Sequence, residues 1–180
     1  MAAVSNAGGI GSLPTVFMDA GSIRAQIDRV RELTDSPFVV NHVVPQLDDA
    51  VFAATLEARP AAISLALGDP GDLPDRIHAG GIKVIHQVHT VQQAYEAAES
   101  GVDVIIAQGT EAGGQGGLVS TMVFLPQVVD AVDPLPVLAA GGIADGRGLA
   151  AALVFGAQGA NVGTRFVASE EAAAAAGWKS

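Results

Sequence analysis

From Gln108 to Gly117 the chain reads QGTEAGGQGG, which sets two amides and one carboxylate among five glycines in nine residues, 109–117. Glycine at that density is rewarded where a ligand approaches the backbone closely or the chain turns through positive φ. Gln108 ends the apolar run Val102–Ala107. Its amide offers both donors and acceptors, as a heterocyclic edge carrying adjacent N–H and C=O groups requires. Asn41 ends another apolar run in the same way; its other reading is an amide that satisfies loop backbone, as Asn does in turns. Gln115 has no useful proton affinity near neutral pH, so it is no general base, yet it can donate a hydrogen bond to an anionic oxygen. Glu111 has two readings, electrostatic tuning of the loop or pairing with nearby backbone N–H groups. The second is favoured, because a free carboxylate opposes an anionic ligand beside it.

Two further glycine clusters follow apolar runs, AAGGI at Ala139–Ile143 and GANVGTRF at Gly159–Phe166. Gly141, Gly142 and the N–H groups ahead of Asp145 suit a phosphate at a helix N-terminus, where the dipole favours negative charge. Gly163 and Thr164 stand at the next strand end. The three clusters together read as one phosphate-bearing cofactor site built from successive strand ends. His86 and His89 are three apart, so as strict strand neighbours they face opposite ways. His89 is the better placed for base chemistry, with bracing of the following helix as its other reading. His42 has the same two readings, and His78 reads as a helix-surface residue. No spacing of His, Asp and Glu suggests a metal site, and Ser5, Ser12 and Ser64 lack a nucleophile-elbow context.

The elements that must position these groups are legible as alternating patterns. Candidate strands are Gly9–Leu13, Phe38–Val44, Ala62–Leu67, Lys83–Val88, Val102–Gln108, Pro136–Ala140 and Gly159–Gly163. Most are almost continuously apolar, as expected of parallel strands covered on both faces. A helix is predicted at Ala2–Ala7. Ser22–Leu33 carries Ile23, Ile27 and Val30 on one face, and Leu47–Ala58 ends at Pro60. Thr90–Ser100 opens with a capping box in which Gln93 reaches back, and Gly101 supplies its left-handed end. Pro126 either kinks the Thr121–Val132 helix or marks its first turn. Asp145 caps the next helix, whose apolar face holds Leu149, Leu153 and Val154, with Gly156 past its end.

This βαβ rhythm fits a doubly wound sheet or a TIM (β/α)8-type barrel. The barrel is favoured because special residues recur at nearly every strand's C-terminal end, and only a barrel brings all those ends to one face. The expectation is a single partial barrel domain over residues 1–180, lacking the first strand and the C-terminal helices. Its two open sheet edges would invite pairing, which a second copy of the chain could supply. The balance of 19 acidic against 9 basic residues, net charge −10, argues against a nucleic-acid surface or basic attraction to membranes. Without cysteine there is neither a disulfide framework nor a thiolate nucleophile. No apolar run reaches the roughly 18 residues of a membrane span, and residues 1–13 do not read as a signal peptide; a cytoplasmic protein is expected.

Four segments resemble the nitronate monooxygenase family, the 2-nitropropane dioxygenase-like FMN enzymes: AAVSNAGGIGSL, VNHVVP, AQGTEAGGQGG, and the long stretch over 136–172 beginning PVLAAGGIADGRG. The resemblance implies a TIM barrel carrying FMN without a metal, acting on alkyl nitronates with O2. It implies ring contacts from Asn41, Gln108 and Gly113, and phosphate contacts from Gly142 and the tetrad Asn161, Val162, Gly163 and Thr164. Gln115 departs from it, standing where the family's EAGGH motif carries the catalytic histidine, and His89 is then the substitute base. Alternatives are an FMN-dependent enoyl-acyl carrier protein reductase, which shares the barrel and a similar motif, and a truncated, inactive barrel.

Overall fold

β-Branched and small apolar residues form seven short parallel strands, separated by helices that cover them. In this computed structural model, which describes residues 1–172, the elements in chain order are α1 (Ala2–Asn6), β1 (Gly11–Pro14), α2 (Ala20–Leu33), β2 (Phe38–Val43), a 3-10 turn (Val44–Gln46), α3 (Asp49–Ala58), β3 (Ala62–Ala66), α4 (Leu73–His78), β4 (Lys83–Val88), α5 (Val91–Glu99), β5 (Val104–Gln108), α6 (Thr121–Val132), β6 (Val137–Ala140), α7 (Gly146–Val154), β7 (Gly159–Asn161) and α8 (Thr164–Val167). All seven strands expected from the sequence are present, most of them shorter by one or two residues at an end. At β3 the reason is local: Leu67 and Gly68 both take positive φ, 60° and 73°, which ends the extended backbone. The short helix α8 was not anticipated, because its four residues carry no periodic pattern.

The chain divides into two units. The first holds Met1–Gln87 with Glu99–Asp103; the second holds Val88–Ala98 and the chain from Val104 onward. In the first unit β1 to β4 follow one another in chain order, with Leu13 opposite Val40 and Val40 opposite Ile63. Every residue of β3 is buried. Ile23, Ile27 and Val30 of α2 pack with Leu13, Phe38, Val40, Val51 and Ala54, each large aliphatic side chain contributing roughly 1.5–3 kcal/mol of transfer energy. The helices are pinned by their caps. Asp19 accepts the Ser22 N–H at 2.7 Å, and Asp48 accepts those of Ala50 and Val51, each at 2.9 Å. Asp103 gathers the Val84 N–H at 2.8 Å, Lys83 Nζ at 2.6 Å and His78 Nε2 at 2.8 Å. His78 thus closes the end of α4 on the surface.

In the second unit β5, β6 and β7 are parallel and in chain order, pairing Ala107 with Ala139 and Ala140 with Asn161. Asp145 caps α7 by accepting the Arg147 N–H at 2.9 Å, and Gly156 follows its end at φ 92°. Pro126 lies inside α6, well past the first turn, and the helix continues through it. The ring leaves the Met122 carbonyl without its i+4 donor, while Gln127 Nε2 donates to the neighbouring Val123 carbonyl at 3.0 Å. One expectation is corrected. The apolar face assigned to α7 is not a core face, for Leu149, Leu153 and Val154 are 39%, 49% and 85% exposed and only Ala152 is buried. Periodicity marks a face as apolar; it does not say whether a neighbour lies over it.

His42 is enclosed in the first unit, 1% exposed. Thr55 Oγ1 donates to the Val51 carbonyl at 2.9 Å, so it accepts from His42 Nε2–H at 3.1 Å. Nδ1 is then the bare nitrogen, 3.2 Å from Thr15 Oγ1, whose proton is shared with the Asn41 carbonyl at 3.1 Å. Phe52 meets the imidazole edge-on at 5.6 Å between centroids. Burial lowers the His42 pKa from 6.5 to about 4, so this histidine is a neutral core group rather than a base for substrate. Its folded pKa is the lower one, so the unfolded chain binds the proton first. Stability is therefore full above pH 6.5 and is lost as the pH falls toward about 4. The expected loss is on the order of 3 kcal/mol from this residue. Urea unfolding at pH 7.5, 5.5 and 4.5 checks it: the stability gap between wild type and His42→Gln narrows as the pH falls, and a constant gap would contradict the assignment.

Candidate functional site

The glycine-rich segment after β5 is held by one residue, Thr121 at the start of α6. A Cβ on Gly109 would stand 2.4 Å from the Thr121 backbone nitrogen and 2.6 Å from its Cα. On Gly141, at φ 113°, it would stand 2.6 Å from Thr121 Oγ1. Both strand ends therefore reach the start of α6 only because they carry no side chain. Glu111 completes the joint. Its Oε2 accepts the Thr121 N–H and the Thr121 hydroxyl, each at 2.8 Å. Ser120, the N-cap of α6, makes no side-chain capping bond, so Glu111 does the capping from across the loop. The Thr121 N–H, foremost among several hydrogen bonds, holds the Glu111 carboxyl below its ordinary pKa. Of the two readings of Glu111, the geometry is that of the structural one.

At the mouth of the same segment, His89 and Gln108 meet. His89 Nε2 lies 2.6 Å from Gln108 Oε1, and Gln108 is 9% exposed. The His89 backbone N–H donates to Gln93 Oε1 at 2.8 Å, and the Gln93 N–H donates to Thr90 Oγ1 at 3.1 Å. The predicted capping box is thus present, but Gln93 reaches one residue further back than the cap. The returning loop presses against the pair. A Cβ on Gly117 would lie 2.9 Å from the Gln108 carbonyl oxygen and 3.5 Å from His89 Cβ.

Other residues singled out from the sequence also gather in this unit. A Cβ on Gly113 would stand 2.5 Å from Thr164 Oγ1, and one on Gly142 would stand 3.4 Å from Glu111 Cβ. Loop, β6 end and α8 start are therefore neighbours. Gly142, Asn161, Gly163 and Thr164 are exposed, Val162 is half-buried, and Gln115 is exposed among the loop's bends. Asn41 lies on β2 in the first unit and is half-buried. The α7 N-terminus is already occupied by its own carboxylate, since Asp145 takes the Arg147 N–H and pairs with the Arg147 guanidinium at 2.6 Å. Thr121 escaped the sequence reading; the trace it leaves there is a pair of strand-terminal glycines, 109 and 141, with no ligand of their own. Among the described residues no group of three or more His, Asp or Glu side chains is arranged to hold a metal ion, and no helix is long and apolar enough to cross a membrane.

Comparison with known proteins places this geometry in context. The family model for nitronate monooxygenase matches residues 1–58 and 50–180. A (3aS,4S,5R,7aS)-5-hydroxy-7a-methyl-1-oxo-octahydro-1H-indene-4-carboxyl-CoA dehydrogenase of Rhodococcus jostii is 41% identical over 173 residues, 95% of this chain and 48% of its own. A nitronate monooxygenase of Paraburkholderia phytofirmans is 35% identical over 226 residues, 99% of this chain and 62% of its own. The structure of FabK from Thermotoga maritima superposes with a TM-score of 0.90 at 40% identity, over 94% of this chain and 55% of that one. The fold is of the TIM (β/α)8-barrel type, and the chain spans about half the length of the curated relatives it matches.

The Glu111 joint has a measurable consequence. Replacing Glu111 by Gln weakens the cap on α6, at a cost of about 1 kcal/mol near pH 7. The folded pKa is the depressed one, so the carboxylate's contribution is present above the unfolded value of 4.5 and is lost as the pH falls through the folded value. Denaturant midpoints of wild type and Glu111→Gln therefore converge below pH 4.5. Equal midpoints at pH 7 would show that the loop does not depend on this carboxylate.

Proposed function

The chain belongs to the nitronate monooxygenase family, an oxidoreductase family, and from that premise we propose that it binds FMN and oxidises alkyl nitronates with O2, giving a carbonyl compound and nitrite. The observation that carries this reading is a glycine loop whose one carboxylate is engaged by Thr121, with the neutral Gln115 exposed. Such a loop opposes neither an anionic cofactor nor an anionic substrate. When bound, FMN would supply the electron-transfer chemistry; the protein's part is binding, orientation and electrostatics.

The residues present fit that cofactor. Gly142, Gly163 and Thr164 offer exposed backbone groups at two successive strand ends, where barrels commonly hold phosphate. We assign them, with Asn161 and Val162, to the FMN phosphate. Gln108 and Gly113 are assigned to the ring. Gln115 would donate through its amide to a nitronate oxygen, and as a neutral group it takes no proton from carbon. A nitronate has already lost that proton, so the absent histidine matters less for it than for a neutral nitroalkane.

A second reading, redox chemistry on an acyl thioester, is favoured by the apolar lip just past the loop. Leu118, Val119, Met122 and Val123 are 99%, 41%, 66% and 52% exposed, more apolar surface than a two-carbon nitronate needs. The relative named as a CoA dehydrogenase and the FabK structure point the same way.

The test begins with FMN uptake, read as flavin absorbance that stays with the protein after desalting. With FMN bound, kcat/KM for ethyl nitronate is expected to exceed that for nitroethane by at least about 100-fold, the lower range of what a general base supplies. Gln115→His should narrow that gap by raising the nitroethane value. Comparable constants for the two substrates in the wild type would sink the nitronate reading. Flavin reduction by an acyl-CoA without nitronate turnover would establish the second.

A further inference from the structure

We infer that Arg165 supplies the positive charge that holds the FMN phosphate and so makes this chain prefer FMN to riboflavin; this rests on the FMN reading above. Cations are scarce in the second unit. Among its described residues there is no lysine, and two arginines, Arg147 and Arg165, stand against seven carboxylates. A phosphate monoester carries about −1.5 to −2 charge at pH 7. Glycine backbones can offer it hydrogen bonds but no full charge. Arg147 is already committed: its Nη2 lies 2.6 Å from Asp145 Oδ2, and its Nε lies 3.1 Å from the same oxygen. Arg165 is exposed, and among the described residues it has neither a hydrogen bond nor an ion pair.

Its place in the chain sets Arg165 among the proposed phosphate contacts. It follows Thr164, whose Oγ1 would stand 2.5 Å from a Cβ on Gly113, so the start of α8 lies against the glycine loop. β7 pairs with β6, Asn161 opposite Ala140, which brings the residues leading to Arg165 beside Gly141 and Gly142. Asp145, three positions past Gly142, is held below its ordinary pKa chiefly by its hydrogen bonds to Arg147 and, least of the causes, by the charge of Arg165. The guanidinium is thus within electrostatic reach of the chain that follows the glycine pair. Asp145 competes poorly for it, because Arg147 already engages that carboxylate. A planar fork of N–H donors matched to phosphate oxygens therefore stands ready beside the two strand ends.

The experiment measures the dissociation constants of FMN and riboflavin, which share the ring and differ by the phosphate, for wild type, Arg165→Ala and Arg165→Lys. Wild type is expected to bind FMN at least about tenfold tighter than riboflavin, the worth of a charge-assisted hydrogen bond. The gap should narrow as salt is raised. Arg165→Ala is expected to lose most of it by weakening FMN alone, with riboflavin affinity unchanged. Arg165→Lys keeps the charge but not the fork, and should restore part of the gap. An equal fall for both flavins in Arg165→Ala would mean a structural role and overturns the inference, as does unchanged FMN affinity. FMN affinity unchanged and coenzyme A binding weakened would move the cation to an acyl carrier's phosphates and overturns it too. The wild-type comparison does not depend on any variant folding. No preference for FMN over riboflavin, or a preference indifferent to salt, overturns the inference while the flavin reading survives. A wild type that takes up neither flavin removes both.

Discussion

The second unit depends on one close approach. Thr121 stands where the ends of β5 and β6 meet the first turn of α6, and those strand ends reach it because residues 109 and 141 lack a Cβ. From that joint the rest follows. The α6 cap comes from Glu111 across the loop, the loop carbonyl of Gly109 accepts the Ala112 N–H at 3.3 Å, and the Thr110 N–H is met by the Val119 carbonyl at 2.9 Å. The loop's shape is thus set by backbone contacts and one carboxylate, while Gln115 stands exposed. That division of labour is what a binding loop on a rigid scaffold requires.

It also resolves an electrostatic difficulty. The chain carries net charge −10, an unpromising background for a phosphate-bearing cofactor and an anionic substrate. Near the proposed contacts, however, the acidic groups are engaged. Glu111 is held by the Thr121 N–H and hydroxyl, and Asp145 by the N–H and guanidinium of Arg147. A carboxylate that accepts strong hydrogen bonds presents less of its charge to a neighbour, and the backbone N–H groups of the glycine ends carry no opposing charge.

The strands and the caps were legible because their causes are local. Continuous apolar runs mark strands buried on both faces, and Asp145, Gly101 and Gly156 mark helix ends through side-chain and φ preferences that a few residues define. Glu111 was legible as structural because a free carboxylate at an anion site is unfavourable. What the sequence did not carry were facts of distant juxtaposition. That Leu149, Leu153 and Val154 face solvent, that His89 reaches Gln108 nineteen positions on, and that Thr121 governs two glycines each depend on packing between elements. The histidines show the limit well. His42 and His89 had identical readings in one dimension, yet one is a neutral core group between two threonines and the other holds an amide beside the loop.

The Gly109–Thr121–Gly141 contact also constrains how this sequence can drift. Every single nucleotide change at a glycine codon that is not silent yields a residue that carries a Cβ, or a stop. At position 109 the obstruction is the backbone nitrogen and Cα of residue 121, so no replacement of the threonine side chain makes room. At 141 a positive φ and the Ala112 nitrogen, 3.1 Å from the Cβ position, hold even when the hydroxyl is gone. Neither glycine has a compensating partner, and lineages descending from this chain keep both as long as they keep the fold, whatever becomes of the chemistry. Position 115 is under no such bond: exposed and without a packing task, it is free to change as substrates change.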